Sequence, residues 1–328
     1  MLKYALKRIL LLIPVLLGVT FIIYAAMNLS GTDYVDSLIT EDMTQEEIDA
    51  LRAHYGLDKP MLQRYFTYVW KMLHGDLGKS YTNGMDVWEF FKSRIGATLY
   101  LGVAAGVVTV VLAIPLGIIA AVKNGSILDN ICNVLGVIGL ATPNFWLGLM
   151  LIVLFAVKLK WLPVSGDEHW YSVILPAFTI GTGHMATQMR TTRTAMLDNL
   201  RADYLRTARA KGVSERKVVM KHAMRNAMIP TVQIAFALLS TAVGGAALTE
   251  SVFNWPGVGK VIVDATSKRD IPTACGFLVL KCAILGVFHA FTELLNVVID
   301  PRLKTMYVRD RKKKKKPSES KPKEVKAA

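Results

Sequence analysis

The chain has 328 residues, of which 52% are hydrophobic and 20% charged, and its 39 Lys and Arg against 25 Asp and Glu give a formal net charge of +14. A mean hydropathy of +0.36 excludes an ordinary soluble protein of this size. The charged residues lie in short segments between long apolar ones, and this alternation indicates a polytopic helical membrane protein.

Six predominantly apolar stretches approach the length of about 20 residues that a membrane-spanning helix needs. They run from Ile9 to Leu29, Thr98 to Val122, Ile131 to Val157, Val173 to Met189, Thr231 to Val252 and Phe277 to Ile299. The fourth is the weakest, because a Gly-Thr-Gly-His run at residues 181–184 interrupts it. The first is longer than a signal-peptide core, so we expect it to be retained as an anchor.

The acid-rich region between the first two spans, residues 31–94, is expected to form an extracytoplasmic insert. Thr44 followed closely by two glutamates is a helix start signal and predicts a helix from Met43 to Tyr55. A second, amphipathic helix is predicted from Leu62 to Leu73. Its aromatic residues suit either a membrane interface or a packed face of the insert.

Orientation follows from the Lys and Arg residues near the span ends. They collect before the first span, between spans four and five, and after span six; the stretch from Arg190 to Arg225 alone has ten, against three acidic residues. With six spans these regions share one side, so both termini are expected in the cytoplasm. The basic tail at residues 306–328 is expected to be a disordered, solvated end that contacts membrane lipid.

Motifs for covalent chemistry are absent from the sequence. No G-x-x-x-x-G-K-[ST] phosphate loop occurs, and the nearest imitation, Gly257 to Lys260, lacks the first glycine and the hydroxyl residue. No H-E-x-x-H or G-x-S-x-G occurs either. The three cysteines have no paired spacing, so neither a disulfide framework nor a metal site is expected. We therefore expect a protein without enzymatic activity, metal or cofactor of its own.

The cytoplasmic loop at residues 190–230 carries the most specific pattern. In a helix, Leu205, Ala208 and Gly212 fall on one face of small or aliphatic residues, and basic residues point elsewhere. Gly212 suits the left-handed residue that ends a helix. Such a helix, with a small face and a basic rim, fits a cleft on a soluble partner.

A second short helix is predicted after this glycine. Ser214 is suited to cap it, and the pattern continues to Ala227. Pro230 is expected in the first turn of the next span, where its missing N–H costs nothing.

The stretch YLRTARAKGVSERKVVMKHAMRNAMIP, from Tyr204 to Pro230, resembles the cytoplasmic loop of permease subunits from ATP-binding-cassette (ABC) importers of the oligopeptide/dipeptide/nickel branch. The resemblance covers nearly all of residues 1–305. It includes YGLDKPMLQRYFTYVWKMLHGDLGKSY after span one, TPNFWLGLMLI in span three, LTESVFNWPGVGKVIVDA beyond span five and DPRLK after span six.

The resemblance implies an all-α polytopic membrane protein with six transmembrane helices and the type I ABC importer permease fold. Its parts are an N-terminal transmembrane helix (1–30), the extracytoplasmic insert (31–94), a permease core (95–305) and the basic tail (306–328). It implies a multi-pass protein of the prokaryotic cell membrane that forms half of a translocation pathway for oligopeptides or dipeptides.

The implied partners are a second homologous permease, two cytoplasmic ATP-binding subunits that hydrolyse ATP, and an extracytoplasmic solute-binding protein. No nucleic-acid partner is expected. In this family the loop is a coupling helix seated in a groove of the ATPase. Carried over, the docking residues are Leu205, Ala208, Arg209, Ala210 and Gly212, with Arg206 and Lys211 on the rim. The general importer pattern has glutamate where this chain has Arg206, so the role of Arg206 stays open.

Two alternatives remain beside the peptide permease. One is a nickel or other small-solute permease of the same family. The other is a secondary transporter, which would often show an inverted internal repeat; no convincing repeat is present, and the basic loop suits a docking surface better. Residues that line the substrate pathway are not assigned.

Overall fold

The computed structural model describes residues 2–29, 31–245 and 247–299, with side chains from Ile13 onward except at positions 243 and 245. Within these ranges the regular structure is helical, and one isolated bridge joins Lys79 and Asp86. The prediction of an all-α protein is confirmed. The predicted basic tail at residues 306–328 lies outside the described residues.

The described helices follow one another along the chain with short connections. They are α1 (Leu2–Leu29), α2 (Gln45–His54), α3 (Met61–Leu73), α4 (Val87–Val122), α5 (Ile127–Ala141), α6 (Asn144–Leu151), α7 (Ile174–Leu200), α8 (Asp203–Ala210), α9 (Glu215–Lys217), α10 (Met224–Gly245), α11 (Ala247–Val252), α12 (Val258–Ser267) and α13 (Ile271–Ile299). Two 3₁₀ turns lie at Val35–Ser37 and Trp170–Val173, and two π-helical segments at Ile152–Lys158 and Val218–Ala223.

Two of the described helices, α4 and α13, are long and apolar enough to cross a membrane. A third candidate is the pair of helical segments Ile127–Ala141 and Asn144–Lys158, bent by 101°. The part of α1 whose side chains are described, Ile13–Leu29, is a shorter apolar helix. In position, the six predicted spans correspond to α1, α4, α5 with α6, α7, α10 with α11, and α13.

The predicted third span is broken in the structure. α5 ends at Ala141, and Thr142 is extended, with φ −80° and ψ 122°. The following residue is Pro143, whose ring disfavours helical backbone at the residue before it. The proline therefore separates α5 from α6 and produces the bend, within the stretch that the sequence predicts as one span.

The predicted interruption at residues 181–184 is instead a packing seam within the continuous helix α7. The contact between α4 and α7 is the most extensive one between any two described helices. A Cβ on Gly181 would lie 2.8 Å from Val108 and 3.0 Å from the carbonyl oxygen of Ala105. The hydroxyl of Thr109 donates to the Gly181 carbonyl at 3.1 Å. Glycine is needed here because the helix backbones approach closely.

The insert contains the helices that the sequence predicts. Thr44 and Glu47 form a capping box at the start of α2, which confirms the predicted start signal. α3 spans Met61–Leu73, as predicted within one residue. Asp270, which is buried, accepts a hydrogen bond from the Ser80 hydroxyl at 2.6 Å, and so joins the insert to the start of α13.

Candidate functional site on the loop between α7 and α10

One buried side chain, Leu205, attaches helix α8 to the core of the chain. Leu205 has no exposed surface, and Ala208 and Val213 pack beside it. The surrounding cluster joins α4, α7, the second π-helical segment and α10 through Ala121, Ala195, Met196, Val218, Val219, Ala223 and Ala227. Full burial of a leucine side chain contributes about 1.5–3 kcal/mol. This contact fixes α8 against three long helices.

Leu205 is fully buried and Ala208 is half-buried within this chain, whereas the family resemblance assigned both to the docking surface. A helix as short as α8 is marginal on its own and is stabilised by burying its aliphatic side. The nearest apolar surface belongs to the same chain, and it accepts this side. Leu205 therefore supports the site from inside, whereas Ala208 keeps part of its surface exposed.

The outer surface of α8 and of the turn after it includes the other predicted site residues, beside exposed Asp203, Tyr204 and Thr207. The predicted residues with exposed side chains or backbone are Arg206, Arg209, Ala210, Lys211 and Gly212. The Arg206 side chain is 80% exposed and lies 3.6 Å from the carboxylate of Asp203, itself almost fully exposed. An exposed pair at this distance stabilises little, so Arg206 remains available to a partner. The surface is basic, with small residues between the charges.

Polar contacts hold α8 at both ends. Arg209 donates two hydrogen bonds to the Glu215 carboxylate, at 3.0 and 2.8 Å, across the turn that separates α8 from α9. Because of these bonds, the pKa of Glu215 lies below its usual value. The Tyr204 hydroxyl donates to Asn199 at the end of α7 and accepts from Asn226 in α10, both at 3.0 Å. A displacement of α8 therefore reaches α7 and α10 through direct contacts.

Gly212 has the backbone conformation that the sequence predicts. Its φ is +75°, in the left-handed region that favours glycine. A Cβ at this position would meet no atom within 4 Å. The requirement for glycine here is therefore one of backbone conformation and not of space.

The helix after Gly212 differs from the prediction in two respects. It begins at Glu215 as expected, but the Ser214 side chain makes no capping hydrogen bond. It then continues through the π-helical segment into α10, so Pro230 lies inside a helix rather than at the start of a new one. Packing of Ala223 and Ala227 in the Leu205 cluster favours this continuous helix.

A largely buried ion pair joins α5 to α7, and the sequence does not predict it. Arg193 in α7 donates two hydrogen bonds of 2.8 Å to Asp129, in the first turn of α5 and before the apolar run. Asp129 also accepts from the backbone of Gly125 at 3.0 Å and from Asn133 at 2.9 Å. The pair joins residues 64 positions apart, so local sequence patterns gave no signal for it.

The stretch from Gly257 to Lys260 surrounds a carboxylate. Glu250 is buried and accepts hydrogen bonds from the Thr98 hydroxyl and from the backbone N–H of Lys260, both at 2.9 Å. A Cβ on Gly257 would lie 2.4 Å from the Glu250 carboxyl carbon. The glycine makes room for the acid, which explains a pattern that superficially resembles a phosphate loop.

Metal-binding geometry is not found in the described part of the chain. No group of three His, Cys, Asp or Glu side chains there lies close enough to hold a metal ion. Cys132, Cys275 and Cys282 are free.

Two protein-family models match the chain, one in each half. The family model described as "Binding-protein-dependent transport system inner membrane component" matches residues 113–305. A second model, for the N-terminal part of membrane components of binding-protein-dependent transport systems, matches residues 1–102.

Individual proteins agree with these matches. The dipeptide transport system permease protein DppB of Escherichia coli (strain K12) is 37% identical over 336 residues, which cover 93% of this chain and 99% of DppB. The oligopeptide transport system permease protein AppB of Bacillus subtilis (strain 168) is 34% identical over 314 residues, which cover 92% and 99%. A chain of the inward-facing MetNI methionine ABC transporter aligns with a TM-score of 0.54 at 17% identity, covering 65% of this chain and 97% of that chain. At this identity the structural similarity shows the fold alone.

Proposed function

The chain belongs to the family of binding-protein-dependent transport system inner membrane components, and we propose that it is the permease subunit of a peptide importer. Both relatives described above are peptide-transport permeases, one for dipeptides and one for oligopeptides. Each aligns over almost its whole length, so the proposal concerns the entire chain. The peptide class is favoured over nickel complexes and other small solutes because of these relatives.

In this proposal the chain forms half of a translocation pathway together with a second, homologous permease. Two ATP-binding subunits dock on the cytoplasmic side, and a solute-binding protein delivers peptide from outside. ATP is bound and hydrolysed by the partner subunits, and this chain needs no cofactor of its own. Its six spans have the type I topology, with both termini in the cytoplasm and residues 31–94 outside.

The arrangement of α8 is the observation that supports this function best. Its aliphatic side is buried through Leu205, and its basic side is exposed through Arg206 and Lys211. A groove on the ATPase therefore contacts charged and small residues, while the buried side transmits the force. When nucleotide draws the two ATPases together, each moves its coupling helix.

Movement of α8 has a direct path into the spans. Leu205 belongs to a buried cluster that includes side chains of α4, α7 and α10, and Tyr204 bonds to both α7 and α10. The Arg209–Glu215 pair joins α8 to α9 across the turn. A movement of α8 is therefore transmitted to the helix that follows it. We infer that α8 and the helix after it move as one unit.

Charge reversal on the exposed face tests the proposal. Arg206→Glu removes a cation that makes only a weak, solvent-exposed ion pair, so the fold is expected to be retained. We expect the variant to insert normally and to lose most peptide uptake in proteoliposomes that contain the assembled importer. Co-purification of the ATP-binding subunits measures docking separately.

Lys268→Glu is the matched control, since Lys268 is exposed but lies just before α13, far along the chain from α8. It is expected to leave uptake and docking unchanged. Wild-type uptake by the Arg206→Glu complex would contradict a role for Arg206 in coupling.

A further inference from the structure

Helix α3 has an apolar side that the rest of the described chain leaves uncovered. Four large side chains on it are spaced four, four and three residues apart, so they share one side of a helix with 3.6 residues per turn. They are Leu62, Phe66, Trp70 and Leu73, with 56%, 67%, 67% and 61% of their surface exposed. A contiguous exposed apolar surface marks contact with another protein or with a membrane.

The other two sides of α3 face protein and water. On the protein side Tyr65 is buried and packs against α1 and the start of α13, and Tyr68 packs beside it. On the polar side Thr67 and Lys71 are exposed and line a cavity of about 540 Å³ between the insert, α1 and the start of α13. Among the described residues that line this cavity, none belongs to the exposed apolar side.

Contacts with α1 place α3 beside the membrane-embedded part of that helix. The Tyr65 hydroxyl donates to the carbonyl of Leu17 at 3.0 Å, and the Tyr65 ring meets the ring of Phe21 edge-on, with 5.2 Å between centroids. From Leu17 to the end of α1 at Leu29 is about 18 Å, at 1.5 Å per residue. The hydrocarbon core of a bilayer is about 30 Å thick. Since α1 corresponds to the first predicted span, the contact at Leu17 lies within the depth of the bilayer.

Two neighbouring residues determine which way the apolar side faces. Arg64 donates to Asn28, near the end of α1, at 2.5 Å, whereas Tyr65 bonds deeper in the same helix, at Leu17. With 3.6 residues per turn, Lys71 lies on the Arg64 side of α3, and the exposed apolar side chains lie on the Tyr65 side. The polar side is therefore directed out of the membrane and the apolar side into it.

From these contacts we propose that α3 is an interfacial helix whose exposed apolar side inserts among the acyl chains of the adjoining leaflet. The exposed apolar surface of α1, which includes Phe21 and Ile22, continues into this side. The Phe21 ring meets Tyr65, and the Tyr65 ring in turn meets Phe66, with 5.7 Å between centroids. A tryptophan beside a lysine, as at Trp70 and Lys71, is typical of a helix at the membrane surface.

The depth of α3 favours lipid over a soluble partner. A solute-binding protein approaches from water, where it meets the polar side of α3 and the cavity beside Lys71. The apolar side faces the opposite way, towards the middle of α1. An interfacial α3 attaches the insert to the bilayer at the mouth of the transporter. This inference depends on family membership and not on the class of substrate.

Site-directed spin labelling of the complete importer in lipid nanodiscs tests this position. A nitroxide attached to Phe66→Cys is expected to collide more often with oxygen, which concentrates in lipid, than with a water-soluble nickel chelate. Trp70→Cys is expected to give the same result. The native cysteines of this chain are buried or half-buried, and an importer without substitutions measures the background signal.

Thr67→Cys is the matched control, because Thr67 is the next residue along the helix and is exposed on its polar side. Its label is expected to collide more often with the nickel chelate than with oxygen. Size-exclusion chromatography establishes that each variant assembles. If Phe66→Cys does not assemble, Leu73→Cys, which is also exposed on the apolar side, replaces it.

Three outcomes would overturn the inference. Preferential collision with the nickel chelate at both apolar positions would place this side of α3 in water. Labels that neither reagent reaches would show that another subunit covers it. Access to the chelate that disappears only when the solute-binding protein is added would make it a docking surface for that protein. None of these measurements depends on peptide uptake, so the inference can fail while the proposed function stands.

Discussion

At the scale of single residues, loss of the Asp129–Arg193 pair should lower the free energy of unfolding more than loss of any exposed ion pair. Asp129 is almost fully buried, whereas Arg193 retains 24% of its side-chain exposure. Removing one partner of a buried pair costs about 3–5 kcal/mol, and the exposure of Arg193 places this pair at the lower end. We expect Asp129→Asn to lower the unfolding free energy of the assembled importer by about 3 kcal/mol. Its thermal unfolding in detergent measures the loss.

Asp198→Asn is the control for this change, because Asp198 is an exposed carboxylate on the same helix, α7. It is expected to unfold like the wild type, and equal unfolding of both variants would show that the ion pair contributes nothing.

At the scale of elements, the turn after α8 determines how the helix is presented. Gly212→Asp places a carboxylate in a basic surface, at a backbone position where aspartate is strained only moderately. No atom lies close enough to collide with the new side chain. We expect the variant to insert and assemble but to hydrolyse ATP without peptide uptake, measured together in proteoliposomes.

Gly212→Asn separates charge from backbone strain, because asparagine has the same shape and tolerates the left-handed conformation equally well. It is expected to keep most of the uptake. Equal loss in both variants would assign the effect to the backbone, and wild-type uptake by an assembled Gly212→Asp complex would remove the turn from the coupling mechanism.

The elements also show which features a sequence can predict. The Thr44 capping box, the left-handed Gly212 and the α3 helix depend on a few neighbouring residues, and all three were predicted. The burial of Leu205 was not predicted, because periodicity identifies an apolar side without identifying what covers it. The break after Thr142 lies within a predicted span because apolar composition continues through Pro143.

At the scale of the whole molecule, family membership was predicted from motifs spread along the chain, and the peptide class from how common peptide permeases are in that family. The cavity between the insert and α13 was not predicted, since residues of α1, the insert and the start of α13 meet there only after folding. The proposed mechanism places the insert and α8 on opposite sides of the membrane. That arrangement is a premise of the proposed function and has a direct test.

Cysteine accessibility in intact cells tests this orientation. Glu41 in the insert and Thr207 on α8 are both exposed, whereas Cys132 and Cys275 are buried and Cys282 is half-buried, so the native thiols should give a low background. A membrane-impermeant maleimide is expected to label Glu41→Cys in intact cells and Thr207→Cys only after permeabilisation. Labelling of Thr207→Cys from outside would place α8 beyond the reach of cytoplasmic ATPases and would overturn the coupling role, even if the fold were unchanged.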